Sequence, residues 1–305
     1  MKPTPSPSSA PSLTARELAT QPDCWRRAAD AAAGAAGLPL PGERVAVTGC
    51  GTSWFMAQSY AALREAAGHG ETDAFPASGF PAARPYDRVV AITRSGTTTE
   101  VLQLLEGLRG RVPTLAVTAD PKTPVREAAD EVAVLDWADE ESVVQTRFAT
   151  TALAFLRAGL PEGAAAVASA AADAARTVAD PLPEAALAAD QWTFLGSGWT
   201  YGLAQEAALK MREAAGAWTE AYPAMEYRHG PVAIAAPGRV VWAFGALPEG
   251  LAAEIERTGA MLAGGGADPM ADLIRAQRLA VTVAESRGLD PDAPRNLTRS
   301  VVLPH

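Results

Sequence analysis

Short apolar runs alternate with longer amphipathic segments through the first half of the chain. Runs rich in β-branched residues predict strands at residues 45–48, 89–93, 114–118 and 132–135. Apolar residues at helical spacing predict helices at residues 54–67 and 100–109. A strand, a loop and a helix in repeated order are typical of a parallel sheet with helices on both faces. We therefore predict an α/β fold.

The same order restarts in the second half of the chain. The sequence "QWTFLGSGWTYGLAQEAALKMREAAG" at 191–216 repeats the strand, glycine-rich turn and helix of "VAVTGCGTSWFMAQSYAALRE" at 45–65, and a further strand is predicted at 239–244. This self-similarity predicts an internal duplication and two tandem domains, each a parallel sheet flanked by helices.

The predicted domain boundaries follow changes in composition. We expect a disordered Pro/Ser-rich tail at 1–12, a first domain at 13–160, an alanine-rich helical connector at 161–189 and a second domain at 190–305. The second domain is expected to be shortened, because the loop "GGGADP" at 264–269 stands where a strand is expected.

Two loops of the first domain are rich in hydroxyl groups. "GCGTS" at 49–53 and "TRSGTT" at 93–98 each follow a predicted strand and open a helix. Ser and Thr are preferred helix caps, so each loop alone is explained as a cap. Two such loops at the carboxyl edge of one sheet, beside helix N-termini, favour an anion site instead. The matching loop of the second domain, "GALPEG", lacks hydroxyl groups, so we expect phosphate in the first domain only.

Composition narrows the possible partners. The net charge of −9 argues against nucleic acid and against an acidic membrane surface. No stretch reaches the roughly 20 apolar residues of a membrane span, and the N-terminus lacks the apolar region of a signal peptide. Two cysteines, Cys24 and Cys50, are too few for a disulfide framework, so we expect both to be reduced thiols. Because reduced thiols are typical of the cell interior, we expect a cytoplasmic protein. No His/Cys/Asp cluster has ligand spacing, so no metal and no other cofactor is expected.

Four sequence blocks resemble the sugar isomerase (SIS) domain family. They are "GCGTS" (49–53), "TRSGTTTE" (93–100), "ALKMREAAGAWTEAYPAMEYRHGP" (208–231) and "DPDAPRNLTRSVVL" (290–303), with a weaker fifth, "EESVVQTRFATTAL" (140–153). Within the family the chain is most similar to the isomerase half of glucosamine-6-phosphate synthase and to two-domain amino-sugar-phosphate isomerases and deaminases. The resemblance runs from about residue 13 to the C-terminus.

The resemblance implies a set of substrate-binding residues. Those expected to bind phosphate are Gly51, Thr52, Ser53, Thr93, Arg94, Ser95, Gly96 and Thr98. Those expected near the sugar are Val143, Val144, Gln145, Thr146 and, in a tail that closes over the site, Arg299. The chain departs from the family at Arg94, Gln145 and Arg299. Arg94, where glutamine is usual, either adds charge to the phosphate or points into solvent. Arg299 stands where the synthase has lysine and, unlike lysine, stays protonated.

The resemblance also implies the catalytic groups. Glu213 matches the general base, and His229 matches the histidine that opens the sugar ring from the partner subunit of a homodimer. From the sequence pattern alone, Glu213 would be interpreted as a solvent-exposed glutamate on a helix. His229, as a lone histidine, would be interpreted as a residue with a structural role. Glu220 and Glu226 are expected to support the catalytic groups, and Lys210 is expected at the surface or as a helix-stabilising residue.

These residues predict an enzyme that acts on glucosamine-6-phosphate or N-acetylglucosamine-6-phosphate. Removal of the C2 proton leads to aldose–ketose isomerisation, with or without loss of ammonia. One alternative is a lyase that eliminates water across C2–C3, and another is a non-catalytic sugar-phosphate sensor. The roughly 12 residues before the first domain are too few for a glutaminase domain, so glutamine-dependent amidotransfer is not expected.

Overall fold

A computed structural model describes residues 10–304 of the chain. Its first parallel sheet has the strand order β2-β1-β3-β4-β5, with β1 (Val45–Gly49), β2 (Thr72–Pro76), β3 (Arg88–Ile92), β4 (Thr114–Thr118) and β5 (Glu131–Val134). Its second parallel sheet has the order β7-β6-β8-β9, with β6 (Gln191–Gly196), β7 (Thr219–Pro223), β8 (Arg239–Phe244) and β9 (Met261–Gly264). The second sheet repeats the order of the first four strands.

The central strands are those that the apolar runs predict. β1, β4 and β6 are buried along their whole length, which explains why their sequences are almost uniformly apolar. The edge strands β2 and β7, "TDAFP" and "TEAYP", are half-buried and end in proline, so they carry no comparable signal. The sequence predicted a loop in place of a strand at 264–269. The structure has a strand, β9, immediately before this glycine-rich loop. The second sheet is thus shorter by one strand, the counterpart of β5, among the described residues.

Helices flank both sheets. They are α1 (Leu13–Ala19), α2 (Gln21–Ala32), α3 (Thr52–Ala66), α4 (Thr99–Leu108), α5 (Val125–Ala128), α6 (Arg147–Ala158), α7 (Gly163–Thr177), α8 (Glu184–Leu187), α9 (Thr200–Ala215), α10 (Leu251–Arg257) and α11 (Pro269–Ser286). The connector at 161–189 is helical, and α7 also buries Val167, Ala170 and Ala174 in the main core. Most of the tail predicted at 1–12 lies outside the described residues, but Ser12 caps α1 by accepting a hydrogen bond from the Ala15 amide.

One apolar core joins the two sheets. It includes Val47 and Ile92 from the first sheet and Phe194 and Trp242 from the second. Helices α3 and α9 pack closely across it, because Gly202 in α9 has no side chain to separate them. A Cβ atom at Gly202 would lie closer than 3.0 Å to the Phe55 carbonyl oxygen. This close approach brings a helix of the second sheet against the first.

The C-terminal segment carries neither helix nor strand and runs back over the first sheet. The Thr99 amide donates to the Val301 carbonyl at 3.3 Å, and the Leu303 amide donates to Thr99 Oγ1 at 2.9 Å. At the start of this segment, Asp292 accepts hydrogen bonds from the Leu13 and Thr14 amides, both at 2.7 Å. The tail is therefore held at both ends. Among residues 10–304, no helix has the length and apolar character needed to cross a bilayer.

Candidate active site

A pocket of about 210 Å³ lies at the carboxyl edge of the first sheet. In the order β2-β1-β3 the connection from β1 runs to one side of the sheet and that of β3 to the other, so the strand order reverses between β1 and β3, which is where open parallel sheets bind ligands. The pocket draws on both hydroxyl loops, the segment before α6, helix α9 and the tail. The predicted site residues among its lining are Gly51, Thr52, Ser53, Thr93, Arg94, Ser95, Thr98, Val143, Gln145, Glu213 and Arg299.

Three predicted residues do not line the pocket: Thr146 is buried and its hydroxyl donates to Glu140 Oε1 at 2.9 Å, and two others lie beside the pocket. Val144 is buried, and its carbonyl accepts from Ser142 Oγ at 3.1 Å. Gly96 turns the backbone with a positive φ of 61°, and a Cβ atom there would overlap the Thr123 side chain. Both residues shape the loops that carry the lining groups.

The hydroxyl loops do not act as helix caps. Gly51 stands at the N-cap of α3 and Thr98 at the N-cap of α4, and neither helix has a side-chain capping hydrogen bond. Thr93 Oγ1 is buried and has no hydrogen-bond partner among the described residues, and the same is true of Gln145 Nε2. Unpaired donors that face a pocket at two helix N-termini suit an anionic ligand.

A hydroxyl cluster joins the second loop to the tail. Ser300 Oγ lies 3.1 Å from Ser95 Oγ, which donates to it, and 2.9 Å from Thr97 Oγ1. The Thr97 amide and hydroxyl also donate to Ser95 Oγ. The tail thus supplies a hydroxyl group to the loop that the sequence assigns to phosphate. Neither Thr97 nor Ser300 is among the residues that the family resemblance had assigned to the site.

Arg94 lines the pocket. The sequence left two interpretations of this residue, and the one in which it points into solvent is wrong. The side chain is buried, and its guanidinium lies 3.7 Å from the Glu140 carboxylate. It donates to the carbonyls of Ser142 at 3.1 Å and Arg299 at 3.0 Å. Burial lowers the pKa of Arg94, and the charge of Glu140 counteracts the shift. Its present partners are protein groups that tie the tail to the segment before α6.

The Glu140 carboxylate accepts hydrogen bonds from the segment that leads into α6. One carboxylate oxygen accepts from the amides of Thr146 and Arg147, both at 2.7 Å, and the other accepts from the Phe148 amide at 3.1 Å. These amides are the unpaired donors at the start of α6, so the carboxylate caps the helix from a distance of six residues. The sequence analysis did not single out Glu140. A glutamate six residues before a helix has no short-range capping pattern that would have revealed it.

A charged triad lies along α9. Lys210, expected at the surface or as a helix-stabilising residue, is not at the surface: its side chain is 1% exposed, forms a short ion pair with Glu213 and lies 3.7 Å from Glu206. Glu213 is 19% exposed and reaches the pocket. Burial raises the pKa of Glu206 to about 8, although the charge of Lys210 opposes the shift. The two glutamates raise the pKa of Lys210 against its burial.

Cys50 and Arg299 complete the polar lining of the pocket. Arg299 donates to Asp139 Oδ1 at 2.5 Å, which fixes its side chain at the rim. Burial raises the pKa of Cys50 to about 11, so its thiol is protonated near neutral pH and is a poor nucleophile. Among residues 10–304, no group of three or more His, Cys, Asp or Glu side chains is arranged to hold a metal ion.

The remaining catalytic candidates lie outside this pocket. His229 ends a short 3₁₀ helix, Glu226–His229, and is exposed, as is Glu226. Glu220 is half-buried in β7, and its Oε2 atom lacks a hydrogen-bond partner among the described residues. A single chain therefore brings Glu213 to the hydroxyl loops but does not bring His229 there.

These features define an α/β protein of two parallel sheets with a small-ligand pocket at the switch point of the first. No protein-family model matches the chain. A glutamine–fructose-6-phosphate aminotransferase (isomerizing) from Pyrobaculum aerophilum is 28% identical in an alignment of 272 residues that covers 71% of this chain. The match covers 44% of that aminotransferase, so the chain spans less than half of its length.

Solved structures give the same relationship over the whole fold. Glucosamine-6-phosphate deaminase from Thermotoga maritima has a TM-score of 0.78 at 26% identity and covers 96% of this chain and 100% of its own. Tagatose-6-phosphate ketose/aldose isomerase from Escherichia coli has a TM-score of 0.80 at 20% identity, with coverages of 98% and 99%, and shows the fold alone. Together these matches confirm the resemblance to the sugar isomerase family, and the chain is related to phosphosugar isomerases and deaminases.

Proposed function

We propose that the protein is a sugar-phosphate enzyme that acts on glucosamine-6-phosphate or its N-acetyl form. The observation that carries the proposal is that Glu213, on a helix of the second sheet, lines the same pocket as the two hydroxyl loops of the first. A carboxylate beside an anion-binding site is the arrangement that proton abstraction from a phosphorylated sugar requires.

The loops would hold the phosphate through neutral donors. Ser53, Thr93 and Ser95 offer hydroxyl groups, and the helix N-termini behind them add backbone amides and a positive dipole end. Hydroxyl and amide donors suit a chain whose net charge is −9, because they need no cationic patch.

Glu213 would act as the base. In the open-chain aldose its carboxylate takes the proton from C2, and the electron pair of that bond forms the enediolate with the carbonyl oxygen at C1. Return of the proton to C1 gives the ketose. With an amine at C2, the resulting imine is hydrolysed and ammonia leaves. The short contact with Lys210 fixes the position of the Glu213 carboxylate at the pocket.

His229 would reach the pocket from a partner subunit. Its exposed position at the end of the 3₁₀ helix leaves the ring free for a neighbouring chain, and imidazole exchanges protons near neutral pH. The site would then lie between two copies of the chain and open the sugar ring only in the dimer.

Exchange of the C2 hydrogen tests the base. Purified protein is incubated in deuterated water and followed by NMR, at the C2 hydrogen of each amino-sugar phosphate and at the C1 hydrogens of fructose-6-phosphate, which has none on C2. We expect exchange, and we expect Glu213→Gln to lose it by about a hundredfold or more. Glu106→Gln, an exposed glutamate of α4, is the matched control and should keep full activity. Full activity of Glu213→Gln removes this residue from its role, and exchange with none of the sugars favours the sensor.

Complementation tests the shared site. Glu213→Gln and His229→Asn are each expected to be inactive, but a mixture that exchanges subunits should regain about one quarter of wild-type activity. Half of the dimers are mixed, and one of the two sites in each is complete. A mixture without activity contradicts the contribution of His229 across the interface.

Elimination of water across C2–C3 is the second candidate, and Arg299 is the observation that favours it. Its guanidinium is held by Asp139 and stays protonated, so it can stabilise charge but cannot form an imine with the sugar. The mass of the product separates isomer, loss of ammonia and loss of water.

A further inference from the structure

Glu206 is a buried carboxyl group that the proposed mechanism leaves unused. Glu206, Lys210 and Glu213 follow one another at spacings of four and three on α9, so they share one face of the helix. Exposure rises along this face from 0% at Glu206 to 19% at Glu213. The triad therefore runs from the core to the pocket.

The buried end of the triad, at Glu206, lies near several hydrogen-bonded polar side chains. Thr150 Oγ1 donates to Gln21 Oε1 at 2.6 Å, and Gln21 Nε2 donates to Gln277 Oε1 at 2.9 Å. Gln277 Nε2 is left without a partner inside the core. This amide nitrogen from α11 and the Thr52 hydroxyl from α3 both favour the ionised form of Glu206.

The charged groups around Glu206 are few. On its own helix these are Lys210, Glu213 and Arg212, and Glu140 acts on Lys210 from the segment before α6. The polar groups that act on Glu206 from α3 and α11 are the neutral side chains of Thr52 and Gln277. One buried ammonium thus faces two carboxylates.

The charge of the triad depends on a single proton. With both glutamates ionised, it carries one net negative charge in a poorly solvated place, which is costly. A proton on Glu206 makes the triad neutral. Burial raises the pKa of Glu206 to about 8, so this proton is bound at neutral pH and leaves in mildly alkaline solution.

We propose that Glu206 is a positioning residue whose protonation controls how strongly Lys210 holds Glu213. When Glu206 is protonated, Lys210 pairs with Glu213 alone and weakens it as a base. When Glu206 is ionised, Lys210 is shared between two carboxylates and Glu213 is freer to take a proton. The inference rests on the proposed role of Glu213 as the base.

The expected signature is a rise in kcat as Glu206 ionises, with little change in KM, because the phosphate loops do not take part. We expect kcat for C2 hydrogen exchange to increase about threefold to tenfold between pH 7 and pH 9. A residue with only a structural role would not produce this rise.

Glu206→Gln tests the inference, since the amide keeps the shape and cannot ionise. The variant should hold kcat at the low-pH level of the wild type throughout this range. Glu106→Gln, far from the triad on the exposed face of α4, should keep the wild-type profile. Gln277→Met serves where Glu206→Gln does not fold: loss of the polar amide that favours ionised Glu206 should move the rise to higher pH.

Three results would contradict the inference about Glu206, and a fourth would also contradict the proposed function. A rise that persists in Glu206→Gln, a wild-type kcat that is flat with pH, or an unmoved rise in Gln277→Met overturns the inference while the proposed function stands. Absence of exchange in the wild type at every pH overturns both.

Discussion

Replacement of Gly202 by alanine should push two helices apart at the centre of the molecule. The new methyl group would lie closer than 3.0 Å to the Phe55 carbonyl oxygen and to Ser59 Oγ on α3. The carbonyl belongs to the backbone of a buried helix and cannot swing away as a side chain can. The strain must therefore move α9 against α3.

The magnitude follows from two opposing terms. Overpacking of a core costs about 1–3 kcal/mol, and the exchange of glycine for alanine within a helix returns about 1 kcal/mol. We expect a net loss of up to about 2 kcal/mol in the free energy of unfolding, seen as a fall in Tm of up to roughly 4 °C. Glu213 lies about 16 Å further along α9, so a small tilt at Gly202 also displaces the proposed base and lowers kcat.

Gly107→Ala is the matched control. Gly107 lies in α4 with no atom near the position of its missing Cβ, so the same exchange should stabilise the protein by up to about 1 kcal/mol. Thermal unfolding followed by circular dichroism measures both variants. Equal or raised Tm values for Gly202→Ala and Gly107→Ala would refute the close-packing argument.

Three further substitutions test other parts of the structure. Glu140→Ala removes the partner of the buried Arg94 charge and the acceptor at the start of α6, and should cost about 3–5 kcal/mol of unfolding free energy in denaturant titrations; a loss below 1 kcal/mol contradicts the assigned role. Asp272→Ala leaves the buried Trp242 Nε1 donor, now 3.0 Å from the carboxylate, without its partner and should cost about 1–3 kcal/mol, which calorimetry would show. Glu206→Gln should flatten the dependence of stability on pH. Since the pKa of this carboxyl rises from 4.5 in the unfolded chain to about 8 in the fold, the wild type loses stability as the pH rises between these values, by at most about 1.4 kcal/mol per unit; equal slopes in both proteins speak against the raised pKa.

The sequence predicted the parts of the fold whose burial is uniform. The strands β1, β3, β4, β6 and β8 and the helices α3, α4 and α9 were all found near their predicted bounds. The edge strands β2 and β7 were missed because half-buried residues and a terminal proline mask their pattern, whereas the edge strand β5 was predicted at 132–135. The two N-terminal helices were not predicted, although the residues that α2 buries, Cys24, Trp25, Ala28 and Ala32, recur at helical spacing.

The candidate site was predicted where chemistry is concentrated in short motifs. The hydroxyl loops and Glu213 do line one pocket, but the roles assigned to them remain predictions. Of the two expectations for Lys210, a surface position is wrong, because a lysine between glutamates on a helix looks like a solvated face, and a helix-stabilising role agrees with its ion pairs to Glu206 and Glu213. Its burial depends on α9 lying against α3 and α11, which no local pattern encodes. His229 lies outside this pocket, and its contribution from a partner subunit remains a prediction.

The hydroxyl contact between Ser300 and the second loop has a consequence for how the protein is handled. Ser300 belongs to a segment, residues 289–304, that contributes no helix or strand to either sheet, yet residues 297–301 line the pocket. Proteolytic cleavage within this segment would therefore leave both sheets whole and remove one wall of the pocket. Ligand binding would then be lost while the thermal unfolding of the two sheets changes little.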